Sequence, residues 1–262
     1  MPFDENGFLG KDAKTFAERI EKSHIDFFQL CYDINRFAQK IKFRFEIHNK
    51  DGQEVITACL FIRILEGYQA SILLVKGGFS SEVRALIRII LESLILLKIC
   101  CEDANIIPKY ILTDEKKRLK LMQIAHKYND ELFALLREYA TKEIMVELAE
   151  KVKTEDIKEL IIEQLAIKAG MKHYYDSIYR LASDDIHTSP RVLERYVIAN
   201  EEGDIVELNN APKDEDARSN LLTLADFMLI AMVSMLKLHK IDEEVALKDF
   251  YKRLLSLEKE HL

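Results

Sequence analysis

The sequence has no tryptophan and only four cysteines, four prolines and eight glycines in 262 residues. So few cysteines exclude a disulfide-dense scaffold, and so little glycine and proline excludes collagen-like and low-complexity chains. Excess positive charge is also missing. Lysine and arginine number 38 against 45 aspartates and glutamates, a net charge of −7, which argues against coating duplex DNA through overall charge. The first residues, Met1-Pro2-Phe3-Asp4-Glu5, supply neither a basic nor an apolar signal region. There is no Gly-rich phosphate loop, Gly-x-Ser-x-Gly elbow or His-Glu-x-x-His helix, which removes P-loop NTPases, ordinary α/β-hydrolases and zincins. Cys31, Cys59, Cys100 and Cys101 follow neither a redox nor a zinc spacing. They read as reduced structural thiols in a cytoplasmic chain, with Cys31 and Cys59 on apolar helix stripes.

What is present is helical periodicity, in a chain 48% hydrophobic and 32% charged. Phe16, Ile20, Phe27, Cys31, Ile34, Ala38, Ile41 and Phe45 form one apolar stripe and predict a long first helix. Asn49 to Gly52 ends it. Val55–Val75 predicts a second helix closed by Gly77-Gly78, and Ser80 or Ser81 can cap a third from about Glu82 to Cys101. The short connection makes these two antiparallel neighbours, and their all-round apolarity puts them in the core. From Thr113 to Ala169 basic and acidic residues are intermixed, which reads as solvated helix surface with caps at Thr113, Thr141 and Thr154. Tyr196-Val-Ile-Ala and Ile205-Val-Glu-Leu flank Asn200 to Asp204 and predict a small hairpin. A buried helix from Asp214 to Leu238 and an amphipathic one capped by Asp242 complete the chain. The expected fold is a single all-α domain, a multi-helix bundle of eight or nine helices with one small β-hairpin over residues 1–262. Leu221–Leu236 and Val83–Cys101 are apolar, but one is short and the other interrupted by charges, so both read as buried helices and no membrane partner is expected.

Two constellations can carry chemistry. Arg180 and His187 are separated by six residues where a helix breaks before Pro190. A guanidinium there can hold a phosphate, and an imidazole titrating near neutrality can move protons. Arg84, Arg88 and Glu92 follow at four-residue spacing on an otherwise buried helix, so these charges must face a partner: Glu66 or Arg63, the loop around His187, or a wet cleft. The bland readings are a helix-end histidine with Arg180 paired to Asp184, and a buried salt-bridge network that fixes helix register. A di-metal carboxylate site built from Glu21, His24, Asp184, His187, Glu66 and Glu92 has the wrong order along the chain, and neither metal nor cofactor is expected.

The spacing Arg180-x6-His187 resembles the R-x4-6-H motif of the HEPN superfamily, all-helical proteins that include metal-independent endoribonucleases of toxin–antitoxin and phage-defence systems. A shorter instance, Arg19-x4-His24, falls within the first helix. The resemblance implies RNA as substrate, Arg180 on the phosphate and His187 as general acid/base. It also implies a homodimer with facing motifs, and an antitoxin or other partner protein. Leu181 departs from the polar residue that commonly follows the arginine. The wider pattern Arg88-x3-Glu92, then Tyr179-Arg180-Leu-Ala-Ser183-x3-His187, resembles a bacterial helical family of unknown function. It implies an Arg–Glu pair and a Ser–His pair converging on one pocket, with Tyr179, Ser183, Asp184 and Arg84 in support. The alternative is a non-catalytic helical interaction protein.

Overall fold

The computed structural model describes residues 6–128, 130–154, 160–187 and 189–261. Asp51 starts the first core helix: its carboxylate accepts from Gln53 N and Glu54 N at 2.9 and 3.1 Å, satisfying two orphan amides of α3 (Gly52–Gly77). Gly78, at φ +76°, closes α3 with Phe79 N donating to Leu74 O at 3.1 Å, a left-handed cap that turns the chain back into α4 (Ser80–Glu102). The expected serine cap is absent. Phe79 stands at the N-cap and Ser80 Oγ instead donates to Asp216 Oδ2 at 2.6 Å.

The long first helix is in fact two, α1 (Lys11–Ser23) and α2 (Ile25–Ile41), broken at His24, whose backbone leaves the helical region. The periodic stripe survives the break because one residue at φ −123° bends the axis without changing which side faces inward. Tyr68 on α3 is fully buried and its hydroxyl donates to Cys31 O on α2 at 2.8 Å, so the largest polar side chain of the core is satisfied. Burial pushes the Cys31 thiol up to about 12. Cys59, by contrast, faces solvent rather than the apolar stripe.

A further core helix, α12 (Ala217–Leu238), runs parallel to α4: Ser80 meets Asp216 at one end and Cys101 Sγ lies 4.0 Å from Met235 Sδ at the other. Among the described residues, α3 and α12 are long and apolar enough to cross a membrane. Both pack on α2 and α4 in the core cluster, the placement expected of central bundle helices.

The charged middle is more broken than its pattern suggested, which carries the fold beyond eight or nine helices. It contains α5 (Ile106–Lys127), α6 (Ala134–Tyr139), α7 (Lys142–Thr154) and α8 (Ile162–Lys168). Thr113 lies inside α5, bonded to Lys109 O, whereas Thr141 Oγ does accept from Ile144 N. Met122, Ala140 and Leu148 make a small second core there. The polypeptide then forms α9 (Lys172–Tyr174), a π-helical turn at Tyr175–Tyr179, α10 (Arg180–Ile186) and α11 (Pro190–Leu193). Strands β1 (Val197–Ala199) and β2 (Ile205–Leu208) pair antiparallel where the hairpin was expected. The last helix, α13 (Glu244–His261), follows Asp242, whose carboxylate accepts from Glu244 N at 3.1 Å.

Candidate functional site

The polar stripe of α4 and the face of α10 meet. Arg84, Arg88 and Glu92 recur every four residues, so they share one side of α4. That side is covered by the π turn and α10, not by Glu66 or Arg63. Arg88 Nη2 donates to the Tyr179 hydroxyl at 2.9 Å, that hydroxyl donates to Glu92 Oε1 at 2.9 Å, and Arg88 and Glu92 stand 3.4 Å apart. The Arg88 guanidinium also lies 4.6 Å from the centre of the Tyr179 ring, and that ring stacks on Tyr175. Burial holds the Tyr179 hydroxyl above its ordinary range, while Arg88 pulls it down and Glu92 pushes it up.

One turn closer to the start of α4, Arg84 Nε faces Asp185 Oδ2 at 3.4 Å and Arg84 Nη2 faces Asp216 Oδ2 at 3.6 Å. The Asp185 side chain is only 3% exposed, and its other oxygen lies 3.4 Å from Arg195 Nη1. Arg195 Nη1 in turn donates to Ser81 Oγ at 2.7 Å, and Lys213 donates to the Arg195 carbonyl. Two guanidiniums thus flank one sealed carboxylate, the arrangement that burying a charge requires.

Arg180 and His187 stand outside this network. Seven residues apart on one helix, they lie about two turns and 10 Å apart on one side of it. Both are exposed. Arg180, 62% exposed, reaches back to Asp176 at 3.5 Å and Glu163 at 3.9 Å, with Tyr175 under it at 5.8 Å. It therefore points away from His187 and pairs with Asp176. His187 caps α10 through its backbone amide, which donates to Ser183 O at 3.1 Å, and its ring has no partner among the described residues. The expected side-chain pair of Ser183 and His187 does not form: Ser183 Oγ donates to Tyr179 O at 2.7 Å. Asp184 lies on α10, and its side chain is outside the described residues.

Residues 54–205, more than half of the chain, match the family of unknown function DUF5677. The chain belongs to that family. No curated protein and no solved structure matches it. The DUF5677 segment holds α4, the π turn, α10 and Arg195, so the whole of the Arg88–Tyr179–Glu92 cluster and the Arg84–Asp185–Arg195 bridge lies inside the matched region.

Of the residues in the di-metal reading, Glu21, His24 and Glu92 have other partners. Glu21 is held below its usual range by Lys76 and Tyr32, His24 accepts from Arg218 Nε at 3.2 Å, and Glu92 is bound to Tyr179. Among the described residues, no group of three or more His, Cys, Asp or Glu converges.

Asp185, Arg195 and Asp216 escaped the sequence reading. A signal for Asp185 existed. It follows Ile178 and Ala182 at spacings of four and three, so a carboxylate continued an inward-facing stripe and demanded a cation. Arg195 had none, because its partner is ten residues away across a proline-started turn.

Proposed function

We propose that this chain is an HEPN-like, metal-independent endoribonuclease acting on RNA, with Arg180 on the phosphate and His187 as general acid/base. The observation that carries the reading is the division of labour on one helix. Its inner face is locked to α4 through Asp185, and the π turn before it through Tyr179, while Arg180 and His187 stand in solvent. Exposed ion pairs such as those of Arg180 with Asp176 and Glu163 contribute little, so an RNA phosphate can displace them. The extended guanidinium and the imidazole then bracket one phosphodiester: Arg180 offsets charge on the scissile phosphate while His187 takes the 2′-hydroxyl proton or protonates the leaving oxygen. Arg84, Arg88, Glu92, Tyr179 and Ser183 act behind them as supports.

The reading includes a homodimer. Leu181, Leu193, Ile198, Ile205, Val206 and Leu208 are exposed close in sequence to Arg180 and His187, and among the described residues β2 is exposed throughout and β1 beyond Val197. An isolated two-stranded sheet is marginal in water, so a second copy, or an antitoxin, gives these side chains a place to be buried.

The second reading, a non-catalytic interaction protein, draws on the same buried network, whose charges neutralise one another. Labelled single-stranded RNA incubated with the purified full-length chain in EDTA decides between them. Cleavage that disappears in both Arg180→Ala and His187→Ala supports the nuclease. Intact RNA, or equal cleavage by His187→Ala, eliminates it.

A further inference from the structure

We infer that Asp185 is a positioning residue that clamps both ends of the segment carrying His187; the inference rests on the nuclease reading above. Asp185 precedes His187 by two residues and Arg195 follows it by eight. The carboxylate of Asp185 and the guanidinium of Arg195 meet directly at 3.4 Å, so the segment begins and ends on one ion pair. Both members are tied to α4, Asp185 through Arg84 and Arg195 through Ser81. The Arg195 backbone is fixed as well, its carbonyl accepting from Lys213.

Among the described residues of this segment the restraints are few. Val192 N and Leu193 N donate to Ser189 O at 2.9 and 3.3 Å, and the Val192 side chain is buried. The His187 imidazole has no hydrogen-bond partner of its own among the described residues, unlike a triad histidine oriented by a carboxylate. Its location is set through the backbone, and the backbone is set by the clamp. Arg84 and Arg195 come from elements on opposite sides of His187 in sequence. Cutting either bridge therefore frees one end of the segment while leaving the imidazole and the phosphate-binding Arg180 chemically unchanged. Arg180 sits about one and a half turns before Asp185, outside the clamp. Loss of the clamp thus disturbs proton transfer more than RNA binding.

The test compares Asp185→Asn, Arg195→Gln and Arg195→Lys in the full-length chain, each first shown to be folded by circular dichroism. Arg195→Gln leaves Asp185 paired with Arg84, so it keeps the inference testable should Asp185→Asn fail to fold. The expected result is a kcat lower by about 10- to 100-fold, the scale of an ångström-level misplacement, with KM for RNA within about threefold of wild type. Arg195→Lys, which keeps the charge, recovers part of the loss. In parallel, the His187 ring resonance, assigned by comparison with His187→Ala, broadens or splits in Arg195→Gln. Unchanged kcat in the folded variants overturns the inference. Should the wild type cleave no RNA, the nuclease reading falls alone, and the resonance decides the clamp: a His187 line identical in wild type and Arg195→Gln removes it.

Discussion

Replacing Tyr179 with phenylalanine isolates what one hydroxyl contributes to docking the π turn on α4. The substitution deletes a donor to Glu92 and an acceptor for Arg88, both at 2.9 Å. Hydrogen bonds to charged groups contribute about 1.5–3 kcal/mol each, which sets an upper bound near 6 kcal/mol for the pair. Two features reduce that figure. Arg88 and Glu92 already stand 3.4 Å apart and can close on each other, and Glu92 is 35% exposed, so water reaches its freed oxygen. The guanidinium also keeps its aromatic face, because phenylalanine offers the same ring. The expected loss is about 1.5 kcal/mol, read as a lower urea midpoint at unchanged m-value. Repeating Tyr179→Phe in a Glu92→Gln background shrinks the effect, since the acceptor is then neutral. A loss under about 0.3 kcal/mol would mean that the cluster is effectively solvated, and the account of α10 as a helix pinned from behind would be refuted.

Three further outcomes follow from the same structure. Burial holds the Asp226 carboxyl above its ordinary range, with Tyr174 opposing part of the shift, so the folded chain binds that proton more tightly than the unfolded chain. The contribution of Asp226 to stability is then fully present below the ordinary aspartate value and is lost as pH rises through the raised one. Asp226→Asn raises the urea midpoint at about pH 7 but not at about pH 3, and a midpoint below wild type at neutral pH contradicts this. Gly78→Ala places a Cβ at φ +76° and 2.5 Å from Pro212 Cβ, for a loss of about 2 kcal/mol or more in a thermal melt. An unaltered melting temperature would show that the turn relaxes freely. Val206→Lys combined with Leu208→Lys changes one exposed face of β2 and leaves the circular dichroism spectrum intact. Sedimentation should show weaker self-association, and an identical association constant would take the dimer contact away from the hairpin.

Elements whose apolar residues repeat without interruption were legible from the sequence. Helices α3, α4 and α12 fall close to their expected limits because burial and chain punctuation, such as Gly77-Gly78, point the same way. The hairpin was legible because turn residues stand between two β-branched runs. The His24 break was not, since the stripe continues across it, and neither was the π turn, which no residue type announces. Of the site, the charges on α4 and the partner helix were readable from spacing. The partners themselves were not: Asp216 reaches Ser80 and Arg84 from 130 or more residues away, and Arg180 reaches back to Asp176 and Glu163.

The π turn at Tyr175–Tyr179 has a consequence for chain length. It accommodates one residue more than an α turn, so everything beyond it is rotated by roughly 100° relative to an uninterrupted helix. Asp185 meets Arg84 with that extra residue in place. Excising a single amino acid between Tyr175 and Tyr179 would let the helix wind through smoothly and swing Asp185 a quarter-turn or more out of phase with α4. A one-residue gap here is therefore a harsher change than most substitutions, although it deletes no charged group of the bridge.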